Sequence, residues 1–200
     1  MTSAPQPVGR RERNKADKLG RIIAAAQELF AEHGVDDVTT QQIADKADIG
    51  SGTLFLYAKS KAELFLLVQN SRYAESLEQG RAAAEATPVI LDAVMVIIRS
   101  IVECNREQVE NGRTYLKEMV FGDPREPHHG QALALTRETE EAITAIMGRD
   151  PSRSNADAVA LASVISAVMF LSMAATANVP NSVDGVVEAI RTQVAVLLRR

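Results

Sequence analysis

The stretch Thr39-Thr40-Gln41-Gln42-Ile43-Ala44-Asp45-Lys46-Ala47-Asp48-Ile49-Gly50-Ser51-Gly52-Thr53-Leu54 decides the fold. The two threonines offer N-cap hydroxyls for a short helix over Gln41 to Ala47. Asp48 to Gly52 has the composition of a turn, and Thr53 to Tyr57 reads as a second short helix. Ile43 and Ala44 face inward, Ile49 plugs the turn and Leu54 anchors the second helix to the first. Two short helices joined by a glycine-bearing turn form a helix-turn-helix. Such a unit leaves the start of its second helix, here Gly50 to Thr53, free to enter a DNA major groove.

Outward from this stretch the chain is helical throughout. Upstream, Leu19, Ile22, Ile23, Ala26, Leu29 and Phe30 recur at helical spacing, and Gly34 supplies a stop. Downstream, Ser60 caps a helix from Lys61 to about Ala84. Thr87-Pro88 reads as an N-cap with proline at the first helical position, opening a helix that runs to about Asn111-Gly112. Further helices are expected over Arg113 to Phe121, Gly130 to Met147, Asn155 to Ala177 and Val183 to Leu198, with Gly122 to Pro127 as a loop. No run alternates with period two over strand length. The expectation is an all-α chain of about nine helices. Three parts are expected: a mobile basic arm over 1–16, a DNA-binding domain over 17–60, and a ligand-binding and dimerisation domain over 61–200.

Composition narrows the function. The 200 residues carry 22 Lys and Arg against 26 Asp and Glu, a formal charge of −4, which argues against a uniformly basic coat for nucleic acid or membrane. The acid excess lies in the C-terminal part. Residues 1–65 are neutral, and within 10–21 six basic residues (Arg10, Arg11, Arg13, Lys15, Lys18, Arg21) meet only Glu12 and Asp17. A basic arm beside a helix-turn-helix can follow phosphates or enter a minor groove. The single cysteine, Cys104, excludes an intrachain disulfide and a cysteine-rich zinc site. The N-terminus has no apolar signal-peptide core, so a cytoplasmic chain is expected. Ala158 to Val183 contains no charge and could span a bilayer by length, but its serines, asparagines and alanines suit a helix buried by its own domain and a dimer partner.

Arg21-Ile22-Ile23-Ala24-Ala25-Ala26-Gln27-Glu28-Leu29-Phe30, Gly34, Thr39-Thr40, Ile43-Ala44, Ala47, Gly52-Thr53-Leu54 and Ser60-Lys61-Ala62-Glu63-Leu64 together resemble the N-terminal signature of TetR-family (tetracycline-repressor-like) transcriptional regulators. The likeness covers about the first third of the chain. It implies an all-α homodimer with three DNA-binding helices, a small-molecule pocket in the C-terminal body and a dimer interface made by the last two helices. It implies a repressor in which ligand shifts the helix after the helix-turn-helix, respaces the two recognition helices and releases a palindromic operator of double-stranded DNA. By the same likeness Thr40 would cap its helix and bond a phosphate, and Lys61 would meet another. Gln41, Gln42, Ser51 and Thr53 are the polar side chains near the groove, Gly52 permits close approach, and Tyr57 takes over a phosphate contact. The chain departs from the family pattern at Asp48, Phe55 and Ala58, where glycine, tyrosine and an aromatic are usual.

The body supplies a pocket set: Met95, Ile98, Tyr115, Met119, Phe121, Met169, Phe170 and Met173. Methionine and phenylalanine suit an adaptable apolar cavity, so an apolar or aromatic effector is expected. No nucleophile–base set is visible, His128-His129 reads as a solvated loop pair, and Cys104 as a packed thiol. No enzyme, metal or cofactor is therefore expected. The competing reading is a small all-α ligand-binding protein or enzyme with a degenerate DNA-binding motif, which Asp48 and Phe55 keep open.

Overall fold

A computed structural model describes residues 9–199. Among them the chain forms nine α-helices and one 3₁₀ turn, with no strand. The helices are α1 (Arg10–His33), α2 (Thr40–Lys46), α3 (Ser51–Leu54), α4 (Lys61–Glu85), α5 (Ile90–Arg106), α6 (Val109–Phe121), α7 (Pro127–Met147), α8 (Asn155–Ala174) and α9 (Val183–Leu198); the 3₁₀ turn is Thr176–Asn178. The all-α expectation is met. Two compact units divide between Val68 and Gln69, eight residues beyond the boundary expected at 60/61.

In the first unit α1 carries the core. Ile22, Ala25, Ala26 and Phe30 lie on one face and are buried. Phe30 meets Phe65 edge to face, with ring centroids 5.6 Å apart. Gly34 ends α1 at φ 80, a left-handed conformation that favours glycine, and its N–H donates to the Phe30 carbonyl. The expected arm is corrected in part. Residues 1–8 lie outside the described residues, but Arg10 to Ala16 are the first turns of α1. The amides of Glu12 and Arg13 donate to the Gly9 carbonyl, and long unbranched side chains lose little freedom in a helix.

In the second unit α5 is the central helix, packed on α6, α7, α8 and α9. Its start is Ile90, after an extended Val89, rather than Pro88. Thr87 does not cap it, because its hydroxyl donates back to the Ala83 carbonyl 3.0 Å away. The helix ends at Arg106, and Asn111-Gly112 lie inside α6, both buried. A Cβ at Gly112 would stand 2.0 Å from the Asn105 carbonyl oxygen, so this glycine lets α6 approach α5. Helix α7 opens at Pro127, which needs no amide partner at the first turn. His128 and His129 are therefore helical rather than a loop pair, and His129 is buried. The α8 to α9 connection is tied down by Arg106. Its guanidinium donates to the carbonyls of Asn178 (3.0 Å), Val179 (3.3 Å) and Asn181 (2.7 Å).

Candidate nucleic-acid interface

The first unit builds its turn from local hydrogen bonds. Thr39, extended at φ −97, is the N-cap of α2, and its hydroxyl accepts the Gln42 amide at 3.2 Å. The Gln42 side-chain oxygen in turn accepts the Thr39 amide at 2.8 Å. This is a capping box, which satisfies two amides that the first helical turn leaves without partners. The cap is thus Thr39 and not Thr40, which stands one residue later with helical backbone.

The end of α2 is a Schellman motif. The Ile49 amide donates to Ala44 O at 3.0 Å and the Asp48 amide to Asp45 O at 3.1 Å. The residue between helix and exit must take the left-handed conformation, and Asp48 does so at φ 52. Aspartate tolerates that region better than most residues, though less well than glycine. Arg21 reaches across from α1, its guanidinium 3.4 Å from the Asp48 carbonyl and 3.5 Å from its carboxylate. The charge that this departure introduces therefore has a partner in the chain itself. Lys46 and Glu28 form a second α1–α2 ion pair at 2.5 Å.

Helix α3 begins at Ser51 rather than Thr53, because the Gly50 carbonyl accepts the amides of Thr53 (2.8 Å) and Leu54 (3.4 Å). Leu54 is buried and anchors it, as expected. Gln41 joins the two short helices: its amide donates to Asp45 at 2.7 Å and its oxygen accepts the Ser51 hydroxyl at 2.7 Å. Gln41 and Ser51 are thus brought together as a lock on the turn, while Gln42 is held at the start of α2 by Thr39. Tyr57 donates to the Lys15 carbonyl at 3.4 Å, and Lys61 to the Asp36 carbonyl at 3.0 Å. Thr40 and Thr53 are half-buried, with no side-chain hydrogen bond among the described residues. Gly50 and Gly52 are exposed, and a Cβ at either would meet nothing within 4 Å. The chain's own packing does not need glycine there. Arg10, Arg11, Arg13, Lys15 and Lys18 are exposed along α1.

In the second unit the expected pocket residues separate. Met95, Ile98, Tyr115, Met119, Met169 and Met173 are buried. Phe121 is 80% exposed and, with Phe170, lines an open groove of about 570 Å³ between α6 and α8. Leu116, Val120, Ala167 and Leu171 make that groove apolar, with Arg113 and Lys117 also lining it. Beside the buried methionines lies a polar cluster that the sequence did not reveal. Tyr115 donates to Asn70 Oδ1 at 2.8 Å, and Asn70 Nδ2 to the His128 carbonyl at 2.7 Å. Tyr73 shares a 3.0 Å bond with Thr139. Burial pushes both phenols above the ordinary tyrosine range. Among the described residues no group of His, Cys, Asp and Glu could hold a metal ion.

The family model for bacterial regulatory proteins of the tetR family matches residues 22–68, the segment that contains the capping box, the Schellman turn and α3. Residues 22–68 thus match the N-terminal domain of that family. The fatty acid metabolism regulator protein of Bacillus subtilis (strain 168) is 30% identical over 67 residues, 34% of this chain. That alignment spans about a third (34%) of the relative's own length. Beyond the matched domain, solved structures carry the likeness of fold. A TetR transcriptional regulator from Rhodococcus sp. RHA1 has a TM-score of 0.72 at 17% identity, covering 92% of this chain and 97% of the other. The transcriptional regulator FadR from Bacillus subtilis, solved in complex with stearoyl-CoA, has a TM-score of 0.68 at 13% identity, covering 90% and 99%. Over about nine-tenths of its length the chain thus shares the all-α fold of these structures.

Proposed function

We propose that the chain is a cytoplasmic, dimeric transcriptional repressor that leaves its operator on binding a small apolar or aromatic effector. The observation that carries the reading is the turn between α2 and α3. Gln41 and Ser51 bond each other across it and the Thr39–Gln42 capping box fixes the start of α2, while Gly50 and Gly52 stay open on its outer side. A rigid turn with an open α3 face is what docking into a major groove needs. The exposed cations of α1 supply phosphate attraction. Lys61 has two N–H groups for a phosphate besides the one on the Asp36 carbonyl, and Tyr57 would exchange its bond to the Lys15 carbonyl for a phosphate contact.

Dimerisation is supported by α8. An 18-residue window of this helix has a mean hydropathy of 1.9, yet only 39% of it is buried. Beyond the exposed Asp157 of its first turn, its outer face shows Val159, Ala160, Ser163, Val164, Ala167 and Leu171, none of them charged. An apolar face of this length is what a second copy would cover in a two-fold contact. In α9, Val186, Val187, Ile190 and Val194 are buried within the protomer, while Ala189 and Val196 are exposed. The effector reading rests on the buried Met and Tyr side chains of α5, α6 and α8.

The test is fluorescence polarisation with the DNA upstream of the chain's own coding sequence, across a salt series. Salt-sensitive, sequence-selective binding is expected, and stearoyl-CoA, present in the similar FadR structure, is the first effector probe. Absence of selective binding to any duplex would overturn the repressor reading.

A further inference from the structure

The winding of α3 continues past Leu54. The amides of Phe55, Leu56, Tyr57 and Ala58 donate to the carbonyls of Ser51 (3.4 Å), Thr53 (3.2 Å), Leu54 (2.9 Å) and Leu54 (3.2 Å). Residues 51–58 therefore make about two helical turns. Leu54 and Ala58, four apart, form the buried side, at 1% and 4% exposure. On the outer side Leu56 stands one turn beyond Gly52 and Thr53, and Phe55 one turn beyond Ser51 and Gly52. Leu56 is 83% exposed and Phe55 47%. A single exposed leucine needs no explanation, but this apolar pair sits beside the two open glycines of the recognition face.

The polar side chains that could read base edges are engaged in part. Gln41 is held by Asp45 and Ser51 at both ends of its amide, and Gln42 gives its side-chain oxygen to Thr39, keeping its NH2 group for other contacts. The free side chains on this stretch are the Thr53 methyl and hydroxyl, Phe55, Leu56 and the exposed Lys59. Only one base carries an apolar mark in the major groove, the C5-methyl of thymine. We propose that Leu56, with Phe55, reads thymine methyl groups, so that operator sequence is recognised here through apolar contact more than through glutamine hydrogen bonds. The proposal rests on the DNA-binding reading of this face.

The experiment uses the full chain and a duplex selected by it from a randomised DNA library. Each thymine is replaced in turn by deoxyuridine, which removes only the methyl, and affinity is read by polarisation. The wild type is expected to lose about fourfold at each contacted thymine, the worth of one buried methyl. Leu56→Ala is expected to bind the thymine duplex more weakly and to be indifferent to deoxyuridine at one of those positions. Phe55→Ala should become indifferent at a neighbouring one. Deoxyuridine without effect on the wild type would overturn the proposal, as would a Leu56→Ala loss that is equal on thymine and deoxyuridine duplexes. In both cases the selected duplex still binds, so the DNA-binding reading survives. Failure to select any duplex would overturn both.

Discussion

Removing the Tyr115 hydroxyl isolates a buried acceptor, and the consequence can be worked from the geometry. Asn70 is fully buried, and its Oδ1 accepts from Tyr115 at 2.8 Å. Its Nδ2 donates to the His128 carbonyl at 2.7 Å, so α4, α6 and the first turn of α7 meet on one amide. In Tyr115→Phe the ring keeps its packing while Oδ1 loses its donor. A buried unsatisfied acceptor costs about 1–3 kcal/mol. With a urea slope of about 2 kcal/mol/M, a 2 kcal/mol loss lowers the unfolding midpoint by about 1 M. Asn70→Leu alone strands the phenol hydroxyl and should cost a similar amount. The double variant removes both partners and should lose clearly less than the two single losses together. The assay is urea unfolding followed by far-UV circular dichroism at one fixed protein concentration, because association would shift the midpoint by mass action. A Tyr115→Phe loss below about 0.5 kcal/mol, or strict additivity in the double variant, would refute the reasoning.

Gly52→Ala should raise stability by about 0.5–1 kcal/mol, since the added Cβ meets nothing within 4 Å, yet weaken binding to a selected duplex at least about tenfold. Equal affinity would show that the open face does not meet DNA. Leu171→Glu should leave a folded monomer in sedimentation, because Leu171 is 72% exposed on the proposed contact face; a persistent dimer would remove α8 from the interface. Val187→Glu should instead unfold the body, since Val187 is buried against its own protomer, and a cooperative thermal transition near that of the wild type would contradict this. In an alkaline absorbance titration, two of the three tyrosines should stay protonated above pH 10. The sign follows from the raised folded-state pKa of Tyr73 and Tyr115: their stabilisation is complete below the unfolded value and is lost as pH rises toward the folded one. Smooth ionisation of all three before unfolding would contradict their burial.

Much of the DNA-binding unit was legible because its signals are local. Periodicity placed Ile22, Ala26 and Phe30 in the core, Gly34 as the stop, and Leu54 as the anchor of α3. The pattern Thr39-x-x-Gln42 is a capping box readable from spacing alone, yet the neighbouring Thr40 obscured which hydroxyl does the capping. The body was less legible because the same residue types serve as core, groove and interface. Phe121 and Phe170 meet at an open groove, while Met119 and Met173, close in sequence to them, are buried.

The sequence by itself determined the all-α class, the helix-turn-helix and the uncharged run of α8, since each depends on residues a few positions apart. Tertiary structure alone decided three things. It bound Gln41 to Ser51 across the turn, and it joined Asn70 to Tyr115 across 45 positions. It also turned the apolar stripe of α9 inward onto α5 while leaving α8's face exposed. The physical reason is the same in each case: a hydrogen-bond partner or a covering surface from a distant segment is set by packing, and periodicity does not carry its address.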